Sequence, residues 1–187
     1  MVDSEKKLED YICENQEEFI NKLKELYDIE ENIKFVGRQV YIGEHNIADL
    51  IYCYTTKEKI PNHEITTKHF IIVELKFRVL ESKDLAQISR YITTLEDKYY
   101  STDVLSSSGN EIEVKGILLG FDLDNNMQEI QMLLECDNER IKFINIASHF
   151  DYNFPSYRHN DEYINELKLD ERIVETMYEW NKSIYVL

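Results

Sequence analysis

The chain has few of the residues that build disulfide-rich or loop-dominated proteins. Its 187 residues include three cysteines, five glycines, two prolines and one tryptophan. The cysteines, Cys13, Cys53 and Cys136, are odd in number and far apart, which argues against a disulfide framework or a cysteine zinc site. They predict free thiols in a reducing compartment. The scattered glycines form no phosphate-binding loop.

Long apolar runs are also missing. No run is long enough to cross a bilayer, and the acidic residues 1–10 do not resemble a signal peptide. We therefore expect a cytoplasmic protein with no membrane partner. With 43% hydrophobic and 12% aromatic residues, the chain can bury a substantial core, and residues 1–187 are predicted to form a single domain.

Basic residues are fewer than acidic residues, and the difference is not spread evenly along the chain. The chain holds 21 basic and 37 acidic residues, a net charge of −16, which argues against a general nucleic-acid binder. Residues 31–100 nevertheless hold ten of each sign, so the two flanks carry the entire excess. The middle of the chain is neutral, and it could form a local basic groove while the ends repel polyanions.

Hydrophobic periodicity predicts a mixed α/β domain, with one sheet and helices on both of its faces. The predicted helices are residues 4–27, 83–97, 126–136 and 161–180, and Ser4 is a candidate cap for the first of them. The predicted strands are residues 33–42, 47–54, 70–78, 113–121 and 140–147. Residues 43–46 indicate a hairpin turn, and the polar residues 55–68 are predicted to be a surface loop.

Two charged residues, Glu74 and Lys76, interrupt the apolar strand predicted at residues 70–78, which ends in Arg78. Side chains alternate along a strand, so Glu74 and Lys76 share the face of Phe70 and Ile72. Burying a charge is costly unless it is paired or holds a metal. Glu74 and Lys76 therefore form either an ion pair on a half-exposed sheet or part of a functional site.

Two neighbouring elements add polar residues near this face. Asp49 shares a face with Ile47 and Ile51, which indicates either a site carboxylate or an exposed strand edge. Gln87 and Tyr91 lie four residues apart beside the apolar stripe of the helix at 83–97. They are either site residues or the polar border of an amphipathic helix.

Together these residues contain the parts needed for metal-assisted phosphodiester hydrolysis. Asp49, Glu74 and the backbone carbonyl of Leu75 supply oxygen ligands for a hard cation, Mg²⁺ or Mn²⁺. Lys76 would polarise an attacking water or stabilise charge on the phosphate. Gln87 would orient the water or the metal ligands.

The same residues resemble the PD-(D/E)XK nuclease superfamily. Asp49, the segment 74–76 and the segment 87–91 carry this resemblance. The spacing of Gln87 and Tyr91 is similar to that of the RecB-like branch, and segments 73–76 and 86–92 are similar to NucS-type endonucleases. The resemblance implies a restriction-endonuclease-like αβββαβ core over residues 5–120. Residues 121–187 would then add an αβ unit and a C-terminal helix.

This resemblance also implies a Mg²⁺-dependent nuclease that hydrolyses DNA. Glu9 stands where related endonucleases often carry a further acid on their first helix, although exposure to solvent is an equal alternative for it. Tyr91 would support the helix. Arg38 and Arg90 are candidate phosphate contacts, and the alternative for each is a surface or ion-paired arginine.

Two other functions fit the composition. The first is a catalytically inactive module on the same fold that binds protein or nucleic acid, with a site that is vestigial or used for protein contacts, and the net charge of −16 favours it. The second is an acidic protein that mimics DNA, although a mimic needs no such group of Asp, Glu and Lys. For a nuclease, a homodimer or a basic partner subunit could supply the missing positive surface. DNA repair, restriction or defence, and a mobile element are all compatible roles.

Overall fold

The computed structural model describes residues 4–43, 46–61, 63–101, 111–121, 123–124, 140–146 and 151–154. This part of the chain forms three helices and six strands: α1 (Glu5–Glu14), α2 (Gln16–Tyr27), β1 (Lys34–Gly43), β2 (Asn46–Ile60), β3 (His63–Leu75), α3 (Ser82–Ser101), β4 (Glu111–Gly120), β5 (Ile141–Asn145) and β6 (Asp151–Phe154). The helices predicted at residues 126–136 and 161–180, and with them the C-terminal extension, lie outside the described residues.

The strands form one mixed sheet in the order β1-β2-β3-β4-β5-β6. The first three strands make an antiparallel meander, and β5 and β6 are also antiparallel. Helix α3 connects β3 to β4 so that these two strands run parallel, and β4 is parallel to β5. With the consecutive helices α1 and α2 in the place of a single first helix, the elements as far as β4 follow the αβββαβ order, which confirms the predicted restriction-endonuclease-like fold class.

Apolar layers cover both faces of the sheet. On one face, Ile88 and Leu95 of α3 belong to the same cluster as Phe70 and Ile72. On the other face, residues of α1 and α2 form a second cluster with the alternate strand residues Leu50, Tyr52, Ile71 and Val73. Helices on both faces were predicted, and this prediction is confirmed. Within the described residues, no helix is both long and apolar enough to cross a membrane.

The single helix predicted for residues 4–27 is wrong, because the helix is interrupted at Asn15. Ser4 caps α1 as predicted, accepting a hydrogen bond from the Lys7 backbone N–H at 3.3 Å. Asn15 has φ −115° and ψ 42°, and its side-chain amide donates to the Tyr11 carbonyl at 2.8 Å. Asparagine competes for backbone hydrogen bonds in this way, which favours a helix end over a helix interior.

The surface loop predicted for residues 55–68 is also wrong. Strands β2 and β3 pair without a break from Thr55–Lys68 to Ile60–His63, so the hairpin extends by a two-stranded ribbon. The ribbon is polar because much of its surface is exposed, and its β-branched residues favour the extended conformation. The threonines concerned are Thr55, Thr56, Thr66 and Thr67.

Two further features of the strands differ from the prediction. Strand β3 ends at Leu75, so Lys76 and the residues to 78 follow the strand instead of continuing it. Strand β6 was not predicted, because its four residues, 151–154, are too few for their alternation of polar and aromatic side chains to indicate a strand.

Close packing at the end of β4 leads to a testable prediction about stability. A Cβ atom at Gly120 would lie 2.5 Å from Cγ of the buried Leu80. We expect Gly120→Ala to lower the free energy of unfolding by about 1–3 kcal/mol because the core cannot absorb the methyl group. Urea denaturation measures this change.

Gly116→Ala provides the matched comparison. Its Cβ would meet the terminal methyl of Ile88 at 2.8 Å, and a side-chain end can move aside more easily than Cγ of Leu80. The loss should therefore be smaller than at Gly120. An unchanged stability for Gly120→Ala would contradict the close packing.

Candidate active site

The candidate site lies where the end of β3 meets the beginning of β2. Leu50 pairs with Val73, so Asp49 and Glu74 stand opposite each other at the next position of this antiparallel pair. Opposite residues of antiparallel strands present their side chains on the same face. The register thus brings together two carboxylates that are far apart in sequence, and Lys76 follows immediately after the strand.

Glu74 is the centre of a hydrogen-bond network. Its Oε1 accepts from Lys76 Nζ at 2.7 Å and from Gln87 Nε2 at 2.7 Å. The Gln87 amide also donates to the Tyr91 hydroxyl at 2.6 Å, and that hydroxyl donates to the carbonyl of Ile47 at 3.1 Å. The structure therefore brings together four predicted site residues and ties α3 to the beginning of β2.

Asp49 joins this group through the backbone and through a second network. Its Oδ2 accepts from the Leu75 N–H at 2.7 Å, and its Oδ1 accepts from Gln39 Nε2 at 3.1 Å. The same Gln39 nitrogen donates to Glu9 Oε2 at 2.7 Å. The Glu9 side chain is only 12% exposed, so it faces the site from α1 and does not point into solvent.

The two arginines proposed as phosphate contacts lie differently. Arg38 Nη1 is 2.9 Å from Asp10 Oδ1 and 3.8 Å from Glu9 Oε1, so Arg38 takes part in an ion pair, the alternative expected for it. Arg90 is exposed on α3, and the described contacts of Glu74 and Asp49 do not include it. A phosphate-binding role for either arginine stays a prediction.

Sequence reasoning missed Gln39 and Glu5. Gln39 is a polar residue on a strand, which carries no signal of its own. Glu5 Oε1 accepts from the Phe77 N–H at 3.3 Å, just past the end of β3. Glu5 lies four residues before Glu9, so the helical spacing could have placed both carboxylates on the same face of α1.

Burial determines the charge states of the site. Glu74 is 2% exposed, and its burial, with repulsion from Asp49, raises its pKa to about 7 against the opposing effect of Lys76. Burial likewise raises the pKa of Asp49, although the Leu75 N–H opposes it. Burial lowers the pKa of Lys76, but Glu74 outweighs this effect, so the Lys76 pKa is raised and the side chain stays an ammonium at neutral pH.

The carboxylates suit a hard divalent cation. Glu74 Oε2 is buried and has no hydrogen-bond partner among the described residues, which is costly for a carboxylate oxygen and leaves it available as a ligand. Mg²⁺ typically uses one or two carboxylates and completes its shell with water and substrate phosphate oxygens. Asp49 and Glu74 match that requirement. The Leu75 carbonyl as a further ligand stays a prediction.

The site is not a closed metal cage. In the part of the chain that the structure describes, no group of three or more His, Cys, Asp and Glu side chains is arranged to hold a metal ion. A cation at Asp49 and Glu74 would therefore depend on water or phosphate oxygens for the remaining ligands.

Comparisons with known proteins add one distant likeness. No family model matches the chain, and no curated protein matches it. Its structure is similar to the crystal structure of a repair endonuclease from Pyrococcus abyssi, with 24% sequence identity and a TM-score of 0.38. The match covers 70% of this chain and 46% of that one, so the chain spans less than half of the endonuclease. At this score the likeness carries no argument about the activity of this chain.

The raised pKa of Glu74 predicts how stability depends on pH. The folded protein keeps a proton on Glu74 up to about pH 7, whereas a free glutamic acid loses it near pH 4.5. Folding therefore takes up a proton in this window, and stability from this group is full below pH 4.5 and is lost as pH rises to 7. The loss is on the order of 3 kcal/mol.

Glu74→Gln removes this titration. In metal-free buffer, the unfolding free energy of the variant minus that of the parent should increase from pH 5.5 to pH 8, because the parent loses stability over this range and the variant does not. Urea denaturation at each pH measures the difference. Glu64→Gln, at an exposed carboxylate, serves as the control and should keep a constant difference. A pH-independent difference for Glu74→Gln would show that Glu74 titrates normally.

Proposed function

We propose that the chain is a Mg²⁺- or Mn²⁺-dependent nuclease of the PD-(D/E)XK type that hydrolyses DNA phosphodiester bonds. The supporting observation is the buried carboxylate of Glu74. Its Oε2 has no hydrogen-bond partner among the residues that the structure describes, its Oε1 accepts from Lys76 and Gln87, and Asp49 stands opposite. A simple surface ion pair would need neither the burial nor the second carboxylate.

Each side chain has a part in this chemistry. Asp49 and Glu74 would hold the cation, which when bound polarises a phosphate oxygen and an attacking water. Gln87 is fixed by Tyr91 and holds the Glu74 carboxylate in one orientation. Such outer contacts set the direction in which a carboxylate presents its free oxygen.

Lys76 would stabilise negative charge. Because its pKa is raised, it carries three N–H donors at neutral pH and cannot take a proton from water. Its side chain is 15% exposed, so the ammonium is shielded from bulk solvent yet can reach a bound phosphate. A positive group in such a place stabilises the charge that develops on a phosphate during hydrolysis.

The charge of the described surface limits how this chain alone would bind DNA. Arg38 pairs with Asp10, and Arg78 forms two hydrogen bonds to Asp84 at 2.8 and 2.6 Å. These cations are partly neutralised, and the whole chain is strongly acidic. We therefore propose weak, salt-sensitive binding, strengthened by a homodimer or a basic partner subunit. The same ion pairs favour the second candidate function, a binding module without catalysis.

Cleavage tests the proposal directly. The parent should cut plasmid and single-stranded DNA with Mg²⁺ or Mn²⁺ and not with EDTA. Glu74→Gln and Lys76→Met should lower the rate by about 10²–10³-fold, the effect of removing a group that stabilises developing charge. Lys57→Met removes an exposed lysine that is paired with Glu64, and it should cut like the parent. Circular dichroism checks the folding of each variant, and full activity in both site variants would refute the assignment.

Metal binding separates the nuclease from the binding module. Mn²⁺ at about 100 times its dissociation constant should add roughly 2.7 kcal/mol to the stability of the parent, because it binds only the folded state. Thermal unfolding should show this gain in the parent and not in Asp49→Asn or Glu74→Gln. A parent that does not respond to Mn²⁺ would favour the binding module.

A further inference from the structure

Gln39 has an unusual backbone conformation for a strand residue. Its φ is 49°, in the left-handed region, although it lies in the middle of β1. A side chain with a Cβ atom adopts this region at a cost and keeps it only when the surroundings hold it there. Among the described residues, the other non-glycine residue with positive φ is Asp28, where α2 ends.

This conformation changes the direction of two consecutive side chains. In a regular strand, Arg38 and Gln39 would point to opposite faces of the sheet. Here both reach the same helix, because Arg38 contacts Asp10 and Gln39 contacts Glu9, and both acids belong to α1. The positive φ of Gln39 explains why the alternation fails at this point.

Gln39 also stands opposite a proposed metal ligand. Arg38 pairs with Leu50 and Val40 pairs with Ala48, which places Gln39 across from Asp49. The Gln39 amide nitrogen has two hydrogens, and it donates to Asp49 Oδ1 at 3.1 Å and to Glu9 Oε2 at 2.7 Å. A neutral amide thereby bridges two carboxylates that would otherwise repel each other.

We infer that Gln39 is a positioning residue, whose amide clamps Glu9 of α1 to Asp49 of β2 and so orients the proposed metal ligand. The metal part of this inference rests on the proposed function, whereas the clamp itself does not. Because the Gln39 amide donates to both carboxylates, Glu9 acts on Asp49 through Gln39. Both oxygens of Asp49 are then fixed, one by Gln39 and one by the Leu75 N–H.

Two substitutions separate the amide from the backbone. Gln39→Met keeps the side-chain length and the same backbone demand but removes the donors. Gln39→Gly removes the donors and also relieves the left-handed conformation. Both variants should bind Mn²⁺ about 10-fold more weakly than the parent, which is the usual cost of losing a contact behind a metal ligand. Isothermal titration calorimetry measures the dissociation constants.

Gln16→Met is the matched control, since it makes the same change at the first residue of α2. It should bind Mn²⁺ like the parent. Glu9→Gln tests whether Glu9 and Gln39 act on the metal ligand together. If they do, the double variant Glu9→Gln/Gln39→Met should bind Mn²⁺ no more weakly than whichever single variant binds it more weakly. Independent, multiplying losses would overturn the clamp.

The results distinguish this inference from the proposed function. If Glu74→Gln abolishes Mn²⁺ binding while Gln39→Met binds like the parent, the inference is wrong and the proposed function stands. If the parent itself binds no Mn²⁺, the proposed function fails, and the metal-related part of the inference fails with it. The clamp is then decided by the unfolding free energies of the metal-free single and double variants. Additive effects of Glu9→Gln and Gln39→Met would overturn it, and coupled effects would support it.

Discussion

The burial of one carboxylate determines much of the structure around the site. If the end of β3 were open, water would solvate a charge on Glu74, but helix α3 covers this face of the sheet. Its ionised form is therefore stable only with compensating donors, and Lys76 and Gln87 supply them on one oxygen. Gln87 in turn needs Tyr91, whose hydroxyl reaches the backbone of β2. One buried charge thus specifies contacts on three separate elements.

The topology of the sheet makes these contacts possible. The meander of β1, β2 and β3 places Asp49 across from Glu74, and the parallel β3–α3–β4 connection carries Gln87 back over the end of β3. Gly116 on β4 lets α3 approach closely, since a side chain there would meet Ile88. The αβββαβ order of elements therefore brings side chains from three regions of the sequence together at one site.

Local patterns in the sequence predicted the centre of the site but not its outer contacts. Strand alternation placed Glu74 on the face that α3 covers, and helical spacing placed Gln87 and Tyr91 together. The outer contacts of Gln39 could not be predicted, because they join it to Glu9 and Asp49, which are distant in sequence, and its positive φ has no local signal. The two-stranded ribbon was missed for a related reason, since its pairing compensates for a polar sequence that resembles a loop.

The break at Asn15 has a consequence for how the site assembles. It leaves α1 as a ten-residue helix, and an isolated helix of this length is barely stable in water. Its order must come from docking, in which Leu8 and Ile12 pack into the core. Glu5 then contacts the backbone just past the end of β3, and Glu9 contacts Gln39. Docking of α1 therefore also brings Glu5 and Glu9 to the site, and a mutation that undocks α1 would alter the site without touching Asp49 or Glu74.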